Sequence, residues 1–228
     1  MRSLNEAFDE QRSERLWVAI DELLYDEGLT VRNVDLFAVC VGPGGFTGLR
    51  VGVAAAKGFA VAGDKPMVAV TSLEAAAASG SEAHPVLALV NAYKKEVYSQ
   101  LFSFDDNGRP IAENEPFVST FRAALDRVKH VETLMFAGDA AVENDEGIRR
   151  LVREMADKDN PQHRTWATPR PDRSPAEAIA RLALLRYLNG DARTPEQIRA
   201  CYVRPAEAEV KLAEGVLGAK IERSRRKT

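Results

Sequence analysis

Apolar and polar positions change period several times along these 228 residues. In 13–26, SERLWVAIDELLYD, Leu16, Ile20, Leu23 and Leu24 fall on one helical face. Ser13 is placed to cap that helix, Glu14 sits at the positive end of its dipole, and Gly28 closes it. LFAVCVG (36–42) is a continuous apolar run ending at glycine, which predicts a strand covered on both faces. A helix is expected over 46–62, ended by AGDKP, then a strand in MVAVTS and an alanine-rich helix over 73–79. Strand, helix, strand in this order predicts a parallel α/β layer.

After a linker, SGSEAHP (79–85), the pattern changes. VLALVNAY and EVYSQLFSF read as strands joined by a tight Lys-Lys connection, and DDNG turns the chain into a third strand near 110–119. That is an antiparallel meander. A helix near 120–128, a strand in TLMFAGD, a helix near 143–155 and a short strand in TWATP follow. Ser174 and Pro175 start a long amphipathic helix with Leu182, Leu185 and Leu188 on its apolar side, and IRACYVRP is the last strand candidate.

The stretch from 41 to 60, VGPGGFTGLRVGVAAAKGFA, puts six glycines and a proline where the pattern otherwise reads as helix. A Walker loop needs Gly-Lys-Ser/Thr, but here Lys57 precedes Gly58. Gly42, Gly44 and Gly48 miss the dinucleotide fingerprint by one residue. The amides of Gly44, Gly45, Phe46 and Thr47 are nonetheless anion-site candidates at a helix N-terminus. The competing reading is packing. Gly48, Gly52 and Ala56 recur every four residues and share a face flanked by Leu49 and Val53. Two glycines inside a helix cost roughly 1 kcal/mol each relative to alanine, so a bare face needs a close neighbour, either the protein's own sheet or a partner helix.

No other chemistry assembles. His84, His130 and His163 form no HxxxH or HExxH pattern, and Cys40 and Cys201 make no CxxC, so no metal site is expected. Ser72, Ser79 and Ser81 have no histidine base in sequence reach. Asp105–Asp106 and Glu207–Glu209 read as a turn and a solvated edge, while Asp139 ends a strand where it could line a cleft. Apolar residues make up 45% of the chain and charged residues 29%, the balance of a globular protein. A net charge of −3 draws the whole chain to neither nucleic acid nor an anionic membrane, which leaves the basic tail 220–228 as a local patch. Two free thiols, no secretory signal and no membrane span suit the cytoplasm.

GPGGFTGLRVGVAAAKGFA closely resembles the signature of the TsaB family, and RSERL, VTSLEA, NAYKKEVYSQLF, FAGDAA and CYVRPAEAE continue the resemblance in order from about residue 11 to 209. The resemblance implies an α/β, actin-like, ribonuclease-H-like two-lobed (ASKHA) fold, with an N-terminal lobe over 1–82 and a C-terminal lobe over 83–228. It implies a subunit without catalytic residues in the system that makes threonylcarbamoyladenosine on tRNA. Such a subunit binds the catalytic TsaD, recruits the ATPase TsaE through that complex and meets tRNA only indirectly. No cofactor is expected on this chain alone; ATP or ADP belongs to the complex. The family's partner-binding helix pair falls here on 13–26 and 46–62, with Leu16, Ile20, Leu23, Gly48, Leu49, Gly52, Val53 and Ala56 as interface candidates. A stand-alone nucleotide hydrolase using the Gly44–Thr47 amides, and a homodimer using the same helices, are the rival readings. Two opening strands usual in the family are missing, and Arg12 stands where histidine is common. The N-terminal lobe is therefore expected to be incomplete, with an exposed apolar edge on the strand at 36–41.

Overall fold

The computed structural model describes residues 13–80, 84–92, 95–155 and 175–204. Helix α1 (Ser13–Asp26) ends where expected, because Gly28 at φ 66° lets Leu29 N–H reach back to the Leu24 carbonyl. Strand β1 (Phe37–Cys40) leads through Gly42 into α2 (Phe46–Gly63), and β2 (Met67–Val70) returns parallel to β1 with Phe37 opposite Met67. A helix linking two adjacent parallel strands is the unit that strand, helix, strand order predicts. Helix α3 (Ser72–Ser79) starts in a reciprocal cap: Thr71 Oγ1 accepts from Glu74 N–H, and the Glu74 carboxylate accepts from Thr71 N–H.

The second sheet runs β3 (Val86–Asn91), β4 (Glu96–Phe104), β5 (Pro110–Ala112), β6 (Phe117–Thr120) and β7 (Met135–Ala137). β3 and β4 form the hairpin, turned at Lys95 with φ 64°, and β7 joins β3 in parallel. The expected third strand is two. β5 lies along Phe102–Phe104 and β6 along Glu96–Ser99, because Asn114 breaks the ladder between them. Its side-chain oxygen accepts from Leu101 N–H at 3.1 Å and its carbonyl accepts from Gln100 Nε2 at 2.7 Å. Helix α4 (Phe121–Arg127) precedes β7, and the helix expected near 143–155 is α5 (Asp139–Glu143) and α6 (Asp145–Met155), broken at Asn144.

Helix α7 (Pro175–Leu188) begins at the expected proline, but Leu185 and Leu188 face solvent, and Ala178, Leu182 and Ala183 are what it buries. They pack on Val68 and Val70 of β2, so α7 covers one face of the first sheet while α2 covers the other with Val53 and Ala60 against Val39 and Met67. The residues expected as a last strand, 198–204, are irregular. They cross between the sheets: Ile198 and Cys201 pack with β1 and α2, Val203 packs on the second sheet, and Arg204 pairs with Glu96. A cut at residue 82 therefore does not separate the two sheets, since the chain returns to the first one from 175 onward. β1 is less covered than its apolar run suggests; Val39 is buried and its neighbours half-buried, with β2 its one strand partner among the described residues. TWATP, His163, Ser81, Glu207, Glu209 and the tail 220–228 lie outside the described residues.

Candidate functional site

The glycine stretch does two different jobs. At Gly42 the backbone has φ 93°, and an added Cβ would sit 3.1 Å from the Cys201 carbonyl and 3.0 Å from Leu49 Cδ2. The turn is fixed by Ser72, whose N–H donates to the Gly42 carbonyl at 2.9 Å and whose hydroxyl donates to the Pro43 carbonyl at 2.5 Å. Cys201 N–H closes the other side on the Val41 carbonyl at 2.7 Å. Here glycine is required by the protein's own close packing.

Along α2 the opposite holds. A Cβ at Gly48, Gly52 or Gly58 would meet nothing within 4 Å. Leu49, Val53 and Ala56, the other interface candidates on this helix, pack instead with Val39, Val41 and Met67 in the protein's own core. Of the small-residue face drawn from sequence, Gly48 and Gly52 are the positions left open. Helix α1 meets α2 through Trp17, whose ring stands edge-on to Phe59 at 5.3 Å, and Phe59 in turn stacks on Phe37 at 6.1 Å. From Arg15 to Asp26, α1 has no buried residue: Leu16, Ile20 and Leu23 are half-buried, and Trp17 and Val18 are 51% and 54% exposed. A helix of this amphipathic pattern ordinarily buries its apolar stripe. This one leaves it partly uncovered.

The anion-site candidates lie at the start of α2, where Gly45 is the cap residue, Gly44 is half-buried and Gly45, Phe46 and Thr47 are exposed. Sequence reading missed what stands beside them. The Arg50 guanidinium lies 3.7 Å over the Phe46 ring and its Nε–H donates to Tyr202 Oη at 3.4 Å, while the Phe46 and Tyr202 rings are 5.4 Å apart. No local signal joins residues 152 apart in the chain; only the return of 198–204 to β1 does.

Elsewhere the chemistry stays dispersed. His84 and His130 are exposed. Asp105 accepts from the N–H and guanidinium of Arg109, which hold its carboxyl below the ordinary aspartate value, so it is turn chemistry as expected. Asp139 starts α5 and accepts from Asn91 N–H at 3.2 Å and Ala140 N–H at 2.8 Å. Burial pushes the Cys40 and Cys201 thiols up, with the Glu74 carboxylate adding to the rise in both. Among the described residues no group of three or more His, Cys, Asp and Glu side chains could hold a metal, and no helix is long and apolar enough to cross a membrane.

Residues 6–152, more than half of the chain, match the family model described as TsaD: tRNA N6-adenosine threonylcarbamoyltransferase. The tRNA threonylcarbamoyladenosine biosynthesis protein TsaB of Haemophilus influenzae is 38% identical over 98 residues, 42% of each chain. The protein of that name from Escherichia coli is 31% identical over 101 residues, 43% of this chain and 44% of its own. These alignments thus span about two fifths of the curated relatives. The fold match is longer: a crystal structure of a Pseudomonas aeruginosa protein with similarity to peptidase YEAZ superposes with a TM-score of 0.64 over 87% of both chains, at 24% identity. The architecture is accordingly the actin-like, ribonuclease-H-like α/β fold that the resemblance implied. The chain belongs to the family that this TsaD model describes, and its curated relatives group it with the TsaB proteins.

Proposed function

We propose that the protein is a non-catalytic scaffold subunit in the synthesis of threonylcarbamoyladenosine on tRNA, docking a TsaD-like catalytic subunit through α1 and the open face of α2. One observation carries this reading: among the described residues, nothing beyond the helix's own backbone comes within 4 Å of a Cβ at Gly48 or Gly52, although Val53 is buried and Leu49 packs against the core beside them. Glycines that cost helix stability and are not consumed by internal packing fit a backbone-close contact with another molecule. The uncovered stripe of α1 beside them supplies apolar area for the same contact. The names of the curated relatives supply the pathway. A TsaE-like ATPase joins through the complex, with ATP or ADP bound there, and tRNA is reached through the catalytic partner.

The test is titration of the purified chain with the TsaD-like subunit of the same organism, followed by reconstitution of tRNA modification. Complex formation together with partner-dependent stimulation is expected. A chain that hydrolyses ATP alone, with activity lost in Gly44→Glu, would establish the hydrolase reading instead. Sedimentation separates the homodimer: a dimer that persists unchanged when the TsaD-like subunit is added would contradict the scaffold.

A further inference from the structure

The outer edge of the first sheet carries a feature that the docking face does not use. A cavity of about 480 Å³ opens beside β2, lined by Val68, Ala69, Ile198 and the side chains of Arg186, Arg193 and Arg199, with Asp191 and Gln197 completing it. Three arginines and one aspartate among eight lining residues make this edge locally basic on a chain whose formal net charge is −3. Each arginine is held from a different direction. Arg186 projects from α7 and donates to the Ala69 carbonyl at 2.6 Å and to the Glu74 carboxylate. The backbone of Arg193 exchanges both hydrogen bonds with Met67, at 2.8 and 2.9 Å. Arg199 donates to the carbonyls of Glu196 and Ile198.

Met67 spends its outward N–H and C=O on Arg193, and strand alternation turns Ala69, two residues on, to the same edge. The Ala69 carbonyl takes Arg186, and its N–H adds a further donor at the rim. Glu74 neutralises Arg186, and Asp191 balances one more charge. The Arg193 guanidinium makes no hydrogen bond or ion pair among the described residues, so the cavity keeps a positive excess.

We infer that this cavity binds a phosphoryl group, using the forks of Arg193 and Arg199 with Arg186 as the fixed back wall. Planar guanidinium forks match the oxygens of phosphate and carboxylate alike. The N–H groups of Arg193 and Arg199 together outnumber the roughly four lone-pair sites of a carboxylate, which favours phosphate. A phosphorylated small molecule and a polynucleotide backbone would offer the same group. The inference stands apart from the proposed docking face and does not depend on it.

The experiment titrates the full chain with inorganic pyrophosphate, and separately with a short single-stranded RNA, at constant ionic strength, following chemical shifts or heat. Arg193→Gln, Arg199→Gln and, as a surface control on α4, Arg122→Gln are compared with the parent. Because the Arg193 side chain has no hydrogen-bond or ion-pair partner among the described residues, its replacement is expected to leave the fold intact, and a thermal melt checks this. Saturable pyrophosphate binding that weakens about tenfold or more in Arg193→Gln and Arg199→Gln, but not in Arg122→Gln, supports the site. RNA that binds tighter than pyrophosphate with the same sensitivity assigns the phosphate to a polynucleotide; pyrophosphate alone assigns it to a small molecule. Binding that no probe saturates below about 1 mM, or that survives both substitutions, overturns the inference.

Discussion

Replacing Gly52 tests why α2 is built from glycine. The residue lies in the interior of an 18-residue helix, and a Cβ there meets nothing within 4 Å. In the free protein, Gly52→Ala should therefore gain the helix-propensity difference, about 1 kcal/mol. For a chain of this size that raises the melting temperature by roughly 2–4 °C. Gly52→Leu should keep most of that gain, since leucine is also a strong helix former. Against a partner helix the same side chain overpacks the contact by about 1–3 kcal/mol, which corresponds to roughly 5- to 150-fold weaker association. Gly58→Ala is the control: it is equally open, yet at about 100° per residue it lies roughly 120° round the helix from Gly52, so it should stabilise without weakening docking. Calorimetric titration with the TsaD-like subunit and melts of the free variants measure both halves. A lower melting temperature in Gly52→Ala would mean that the glycine serves the protein's own packing. Unchanged affinity in a folded Gly52→Leu protein would refute the docking face.

Gly138 should behave in the opposite way: at φ 107°, with an added Cβ 2.1 Å from the Leu89 carbonyl oxygen, Gly138→Ala is expected to cost about 3 kcal/mol or more in urea denaturation. Ser99 is fully buried on β4 and its hydroxyl has no hydrogen-bond partner among the described residues, so Ser99→Ala should leave stability unchanged or raise it by about 1 kcal/mol; a loss of that size would show that the hydroxyl is satisfied. The raised Cys40 and Cys201 thiols set a pH dependence. The unfolded chain releases these protons near the ordinary thiol value of about 8.5, while the folded chain still holds them, so stability should fall as pH rises above that value. Denaturation midpoints across this range check the sign, and Cys40→Ala should flatten the decline.

The elements legible in the sequence were those whose signal is local. α1, α2 and the β3–β4 hairpin carry their own period, cap or turn residues, and the structure returns them within a residue or two. What escaped depends on contacts distant in sequence. Asn114 splits the third strand only because its side chain and backbone meet Gln100 and Leu101. The apolar residues at 198–204 looked like a strand, yet their backbone is recruited singly, as when Cys201 bonds Val41, to bridge two sheets. Helix α7 is apolar on more than one side, so its periodicity could not say which side is core. The same limit held at the candidate site. Spacing put Gly48, Gly52 and Ala56 on one face flanked by Leu49 and Val53, whereas the sheet beneath draws Leu49, Val53 and Ala56 toward the core.

Glycine meant two things in one motif, and the distinction rests on geometry that no spacing rule contains. At Gly42 the missing side chain admits the Cys201 carbonyl from the same chain, and the φ of 93° suits only glycine. At Gly48 and Gly52 the conformation is ordinary helix, so any residue is sterically allowed in the free protein and alanine would be more stable. The first kind of glycine is explained by folding alone. The second is disfavoured by helix propensity, a cost that the proposed docking contact would offset. Because α2 covers one face of the first sheet and α7 the other, such a contact on the outer side of α2 leaves the arginine-lined edge of β2 open to solvent. The lining of that cavity includes no residue of α2, so a ligand there need not displace a partner at Gly48 and Gly52.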